Sequence, residues 1–336
     1  MTEYTPKNIL VTGGCGFIAS NFINQLVIKY PSYNFINIDC LYTCSTINNI
    51  TVSDQQNYKF VKGNICSIDL VLYILNTYFI DTVVHFAAQS HVDNSFSDPL
   101  QYTKDNILGS HTLIEACRQY GKIKRFLFIS TDEVYGESDI EDDTDKKTET
   151  SLLCPTNPYS ASKAGSEFIA MSYFYSYKFP LIVTRCNNVY GERQYPEKIL
   201  PRFICLLKED KKCTIHGLGQ SKRSFIHIDD VVSANSFVLF HGDIGHIYNI
   251  SGTDEFTVLD IAKMLIKRIK CTDDYEKWIT FVKDREFNDK RYFICSKKLE
   301  QMGWKRKVNF AEGFERTVNW YLNEIDPYKH WVSITL

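Results

Sequence analysis

Two periods alternate along the first half of the chain. Short apolar runs at 9–11, 35–38, 60–61, 82–86, 126–129 and 181–184 read as buried strands. Between them the apolar residues are spaced as in helices. Over 17–30, Phe22, Ile23, Leu26, Val27 and Tyr30 share one face. Ser67 stands as an N-cap before a helix at 68–79. The pattern over 106–120 turns Ile107, Leu108, Leu113, Ile114 and Cys117 inward, and Gly121 ends it. Strand and helix in repeated alternation predict an α/β fold, a Rossmann-type doubly wound parallel sheet.

From about residue 187 the rhythm loosens. Pro196 and Pro201 bracket a short connection, 201–208 and 257–269 look helical, and 214–223 carries two glycines as in a turn between strands. This predicts a smaller C-terminal region of helices and short strands, packed tightly because no Gly/Ser-rich linker precedes it. The polar stretch 137–151 reads as a solvated loop, with a lid over the site as the second reading.

Composition narrows the function. The 336 residues carry 38 Lys and Arg against 40 Asp and Glu, a net charge of −2, so nothing drives general binding to nucleic acid or to an anionic membrane. The longest apolar stretch, 70–80, is broken by Asn76 and Thr77 and is too short to span a bilayer. No basic segment followed by an apolar one opens the chain, so no signal peptide is expected. Eleven scattered cysteines with no C-x-x-C spacing read as reduced thiols, and a cytoplasmic location is expected. Eight histidines without ligand spacing give no expectation of a metal.

Three motifs carry chemistry. Residues 9–19 read ILVTGGCGFIA, a strand, then glycines at 13, 14 and 16, then a helix opening at Phe17. Gly13 allows a tight turn, and Gly16 lets the backbone approach a pyrophosphate seated on the helix N-terminus. Asp39 ends the second strand, where a carboxylate can accept ribose hydroxyls and repel a 2′-phosphate, favouring NAD. Tyr159 and Lys163 lie four apart on a helix starting at Pro158, so an ammonium can stabilise a phenolate that is otherwise useless as a base. Asp132 and Glu133 follow Thr131 at a strand's carboxyl end, where two adjacent carboxyls can split into acid and base. They can equally be a helix cap or turn acids.

The stretches VTGGCGFIAS, HFAAQSHVDNS, STDEVYG, NPYSASKAGSE, RCNNVYGERQYPEKILPRF and RSFIHIDDV carry a resemblance, with a looser one at DREFNDKRY. The chain resembles the extended short-chain dehydrogenase/reductases, and within them the nucleotide-diphosphoglucose 4,6-dehydratases. The subfamily rests on Thr131-Asp132-Glu133, supported by the Asn187-Asn188 pair and the 195–198 run. Related epimerases usually have small polar residues in place of the two acids, and related decarboxylases generally lack the aspartate. An NAD-dependent epimerase or decarboxylase is the alternative reading, and a catalytically silent sensor a third.

The resemblance implies a mechanism. Tyr159 deprotonates the sugar 4-hydroxyl and a hydride passes from carbon 4 to NAD. Glu133 removes the carbon 5 proton and Asp132 protonates the departing 6-hydroxyl. The hydride returns to carbon 6, leaving a 4-keto-6-deoxy sugar. Thr131 binds the 4-oxygen and Lys163 holds the nicotinamide ribose. Gly13, Gly16, Phe17, Ile18, Asp39, Asn64, Ile65, Ala87, Ala88, Ser90 and Asn106 are the implied cofactor residues. Asn188, Lys198, Ile199, Arg223, Asn249 and Arg285 are implied to hold the nucleotide sugar, two arginines suiting a pyrophosphate.

The departures from the family pattern are Ala19 for the third glycine, Asn64 for an aspartate, Cys40 for a basic residue and Phe287-Asn288 for Gly-His. Residues 1–187 are then the NAD-binding domain, with 225–250 returning to it, and 188–336 the main nucleotide-sugar region. A homodimer through the helices at 99–120 and 159–177 is implied too. Thymine and uracil remain open as the base.

Overall fold

The computed structural model describes residues 4–284 and 289–323. Seven parallel strands form the main sheet: β1 (Asn8–Thr12), β2 (Asn34–Asp39), β3 (Tyr58–Lys62), β4 (Thr82–His85), β5 (Arg125–Thr131), β6 (Leu181–Cys186) and, after three strands that belong elsewhere, β10 (Ile247–Ile250). Their order is β10-β6-β5-β4-β1-β2-β3. The direction of winding reverses between β1 and β4, so their carboxyl ends diverge there and open a crevice.

The central strands are apolar on both faces because both are covered. Ile9 and Val11 point to one core, with Leu127, Ile129 and Ile182. Leu10 points to the other, with Val83, Phe126, Phe128, Leu181 and Val183. The first core is closed by α1 (Phe17–Lys29) and the second by α2 (Ile68–Thr77). Ser67 is the N-cap of α2, but its side chain makes no capping bond.

The helix expected at 106–120 starts earlier. After α3 (Val92–Ser97), α4 (Pro99–Tyr102) is capped by Asp98, whose carboxylate accepts from the Gln101 N–H at 3.3 Å. It continues through a π-helical stretch, Thr103–Leu108, into α5 (Gly109–Tyr120). The wider π turn breaks the 3.6-residue register. Leu108, expected inward, is 52% exposed as a result. The helix α6 (Pro158–Tyr177) starts on a capping box, Asn157 Oδ1 accepting from the Ser160 N–H at 2.8 Å.

The rest of the chain builds a second core. Strands β7 (Asn188–Tyr190), β8 (Cys213–His216) and β9 (Lys222–His227) precede β10, and β11 (Asp254–Thr257), β12 (Ile279–Val282) and β13 (Arg291–Tyr292) follow it. β9 pairs with β7, β11 and β13, while β8 pairs with β12. The glycine turn after β8 joins β8 to β9, which lie in different sheets. Helices α7 (Ile199–Lys208), α9 (Val258–Lys270) and α11 (Phe310–Asn323) cover this core. The intervening α8 (Ile228–His241) packs through Val231, Val232 and Val238 on the first core, and α10 (Lys297–Gln301) adds Leu299 there. The chain therefore leaves the small sheet at His227 and rejoins the large one through α8 and β10.

Segment 137–151, expected to be solvated, is tied down. Arg291, 1% exposed, donates to the Asp139 and Asp142 carbonyls at 3.1 and 3.3 Å and to Asp143 at 2.7 Å. Its Nε reaches Glu255 on β11 at 2.9 Å. Lys147 bridges to Ile294 as a short parallel pair, and Glu149 accepts from the Asn249 N–H at 2.9 Å. Of its charges only Asp143 pairs with that buried guanidinium, and most of its side chains stay exposed, so the segment is solvated and fastened at once. No helix among the described residues is long and apolar enough to cross a membrane, and no group of metal-binding side chains occurs among them.

Gly14 is the tightest point of the first turn. A Cβ there would lie 2.1 Å from Asn37 Oδ1 and 2.6 Å from Ile23 Cδ1. Gly14→Ala is expected to destabilise the fold by about 1–3 kcal/mol through overpacking, read from the urea unfolding midpoint.

Candidate active site

The crevice is lined by the expected first-motif residues Gly13, Gly16, Phe17 and Ile18. Gly13 has φ +67°, and a Cβ on it would sit 2.7 Å from the Ala87 backbone. Gly16 is the N-cap of α1, with no side-chain cap and no acidic residue in the first turn. The exposed N–H groups and helix dipole there favour an anion. Asp39 ends β2 in the cleft, but its carboxylate already works for the loop. It accepts from the Cys15 N–H at 2.9 Å, the Leu41 N–H at 2.7 Å and the Ser45 hydroxyl at 3.1 Å. The acid that marks the motif thus also fixes the shape of the glycine turn. Asn64, Ile65, Ala87, Ala88 and Ser90 line the same cleft.

Asn106 is not brought to the cleft wall. It is buried in the π-helical stretch, with its amide bonded to Gln89 N–H at 2.7 Å, Gln89 C=O at 3.0 Å and Ser162 Oγ at 2.8 Å. It positions the strand-end loop that lines the cleft instead of facing a ligand.

At the carboxyl end of β5 the chain turns through Asp132–Tyr135, a single 3₁₀ turn capped by Thr131, whose Oγ1 accepts from the Glu133 N–H at 3.3 Å. This turns the two acids toward the cleft, and all three residues line it with Tyr159 and Lys163. Asp132 is 2% exposed. Burial and the adjacent Glu133 push its carboxyl up to about 7, against hydrogen bonds from Asn187 and Thr131. Asn187 Nδ2 donates to Asp132 Oδ2 at 2.6 Å, and Thr131 Oγ1 donates to Oδ1 at 3.2 Å. Burial also raises Glu133, while the cations Lys198 and Arg223 and the Asn157 amide hold it down.

Tyr159 departs from the simple expectation. Burial, then Glu133, raise its phenol, and the Thr131 hydroxyl is the leading influence that lowers it. Lys163 Nζ donates to the Ile129 carbonyl at 2.7 Å and lies 4.8 Å over the Phe128 ring. Burial pulls the Lys163 ammonium down to about 8. In this geometry the lysine is anchored to the sheet, and the phenol takes its lowering hydrogen bond from threonine.

A second cavity opens beyond Glu133. Asn188, Lys198, Ile199 and Arg223 line it, with Glu133, Asn188 and Lys198 shared with the first. Lys198 Nζ donates to the Ser90 carbonyl at 2.7 Å, and Arg223 lies 4.9 Å over the Tyr292 ring. Asn249 lines neither cavity. It is buried on β10, accepting from the Tyr135 hydroxyl at 2.8 Å. Arg285 lies outside the described residues.

Sequence reasoning missed Asn157, Asn187, Glu197, Asp289 and Tyr292 as wall residues of these cavities. Asn157 read only as the flank of a helix start, and Asn187 only as half of a family pair. Asp289 and Tyr292 sit in the altered tail motif, where no local pattern points inward.

A family model described as GDP-mannose 4,6 dehydratase matches residues 10–317. The trifunctional UDP-glucose 4,6-dehydratase/UDP-4-keto-6-deoxy-D-glucose 3,5-epimerase/UDP-4-keto-L-rhamnose-reductase of Arabidopsis thaliana is 49% identical over 321 residues, covering 95% of this chain and 48% of the plant protein. The chain therefore spans about half the length of that relative. The dTDP-D-glucose 4,6-dehydratase of Homo sapiens is 45% identical over 329 residues, covering 96% of this chain and 92% of that protein. The dTDP-glucose 4,6-dehydratase of Streptomyces venezuelae, solved with NAD and TYD bound, has a TM-score of 0.88 at 36% identity, covering 94% of this chain and 96% of that one. On a match that runs from the first strand to the last helix, the chain belongs to the GDP-mannose 4,6 dehydratase family.

Proposed function

We propose that this chain is an NAD-dependent nucleotide-diphosphoglucose 4,6-dehydratase acting on dTDP-glucose or UDP-glucose. The observation that carries it is the pair of adjacent carboxyls beside Tyr159, Asp132 buried and held near neutrality and Glu133 half-buried on the cleft wall. An epimerase has no use for an acid at carbon 6. Residues 1–187 with the returning α8 and β10 serve as the cofactor domain, and most of 188–336 as the nucleotide-sugar region. The working form is a cytoplasmic homodimer.

The cleft fits NAD. Gly13, Gly16, Phe17 and Ile18 offer a pyrophosphate seat, and Asp39 a ribose acceptor. Asn64 and Ile65 stand for the adenine side, and Ala87, Ala88, Ser90 and Lys163 for the nicotinamide half. When bound, NAD supplies a two-electron acceptor for carbon 4 that gives the electrons back at carbon 6, and in its oxidised form a positive charge that favours the Tyr159 phenolate.

The residues then divide the protons. Tyr159 takes the proton of the 4-hydroxyl, with Thr131 at the same oxygen. The ketone at carbon 4 acidifies carbon 5, and Glu133 takes that proton. Asp132, still protonated near neutral pH, gives its proton to the 6-hydroxyl, which leaves as water. Glu133 returns its proton to carbon 5. One proton remains on Tyr159 and one is missing from Asp132. Thr131, hydrogen-bonded toward both, lies on the path that restores them. Asn188, Lys198, Ile199 and Arg223 stand where the nucleotide diphosphate would be held.

Purified protein given UDP-glucose or dTDP-glucose in parallel should form a product lighter by one water, seen by mass spectrometry. An unchanged mass with a new stereoisomer refutes the dehydratase reading, and the faster substrate identifies the base.

Asp132→Asn should slow water loss and let reduced nicotinamide accumulate during turnover. Tyr159→Phe should abolish both oxidation and water loss. In the wild type the elimination rate should fall as pH rises past about 7, where the acid loses its proton.

Stability gives an independent check. The folded Asp132 carboxyl titrates above its ordinary value, so its contribution is intact at low pH and is lost as pH rises toward about 7. Asp132→Asn should therefore gain on the wild type by about 2 kcal/mol between about pH 5 and pH 8. Urea unfolding at the two pH values measures it.

A further inference from the structure

Asn187 has two ends with different fates. Its Nδ2 donates to Asp132 Oδ2 at 2.6 Å. Its Oδ1 is buried and has no hydrogen-bond partner among the described residues. The residue is 3% exposed and lines the cleft beside Asp132, Glu133 and Tyr159. A buried amide oxygen without a donor is unfavourable by roughly 1–3 kcal/mol, and most such atoms are satisfied. A wall residue keeps one where a ligand brings the donor.

We propose that Asn187 is the positioning residue of the general acid: its amide N–H fixes the Asp132 carboxyl while its carbonyl oxygen accepts a hydroxyl of the bound sugar. One planar group then holds the acid and the sugar in a fixed relation, which a single rotamer change would lose. The sugar contact rests on the dehydratase reading; the grip on Asp132 does not. The position suits the task. Asn187 directly follows β6, next to the strand that ends in Thr131, so neighbouring strand ends set the spacing. A carboxamide can donate and accept at once without a charge of its own. A charged partner would drive Asp132 to one protonation state and end its use as an acid near pH 7.

The groups facing Asp132 are Glu133 from its own turn, Tyr159 from α6, Cys186 from β6 and Arg223 from β9. All are retained when only Asn187 is replaced. Asn187→Leu keeps the size and removes both polar ends, and Asn187→Ser serves if the leucine variant does not fold. With the donor gone, the ionised form of Asp132 loses support and its titration moves up by about one pH unit.

Two measurements test this. In turnover with UDP-glucose or dTDP-glucose, kcat should fall about 10–100-fold, with KM changed less because the nucleotide is held elsewhere. The falling limb of the pH profile should move to higher pH. Reduced nicotinamide should build up, since oxidation at carbon 4 does not use Asp132. An unaltered kcat and limb overturn the proposal, as does a rise in KM alone.

The second measurement needs no turnover. The wild type should stop losing stability above about pH 7, whereas Asn187→Leu should keep losing it to higher pH. The difference should vanish in an Asp132→Asn background. If it persists there, Asn187 does not act through Asp132. If the wild type releases no water but this stability coupling is found, the dehydratase reading falls and the grip on Asp132 stands.

Discussion

Two adjacent carboxyl groups are drawn out of water at the end of β5, Asp132 wholly and Glu133 in part, and the architecture around them makes this tolerable. An isolated carboxylate in such a place would be strongly unfavourable. Asp132 meets the problem by taking up a proton near neutrality, while two hydrogen-bond donors support it when it is ionised. Glu133 meets it through cations from the second region, Lys198 and Arg223. The large sheet thus provides the turn that presents the acids, and the smaller region provides the charge that keeps one of them usable as a base. Neither half makes the site alone.

The large sheet was legible because its central strands are apolar on both faces, so each appears as a continuous run such as Ile9-Leu10-Val11. The glycine turn, the Tyr159–Lys163 spacing and the acid pair were legible because each is local. What stayed hidden was non-local or broke a period. The π-helical stretch shifts the helical register at Leu108, and no residue type announces it. Asn249 looked like a ligand contact until Tyr135, more than a hundred positions away, came to rest on it. Asn106 lies in the π-helical stretch and faces the loop after β4. Segment 137–151 faces solvent as its charges suggest, but its fastening was hidden because Arg291 lies at the far end of the chain. Spacing can show that a tyrosine and a lysine share a face, but not that the lysine will anchor on the Ile129 carbonyl.

Asp39 and Asn106 make a related point about the cleft. Each lies where a cofactor contact is expected, and each holds a loop of the protein itself. The glycine turn and the loop after β4 are therefore set by the chain's own hydrogen bonds. A cleft shaped in advance loses less conformational freedom when it is filled.

The strap between 137 and 151 leaves the end of β5, runs to the smaller region, and is fastened there by Arg291 before the chain returns to α6. It adds a crossing between the two halves of the molecule to those after β6, at His227 and after β10. Each crossing limits how far the halves can swing, and this one is riveted by a buried guanidinium. Any motion that draws the two halves apart must then break the Arg291 contacts with Asp139, Asp142 and Asp143. Drawing the halves apart would thus leave the buried Arg291 charge short of partners, a brake on opening that is set by the far end of the chain.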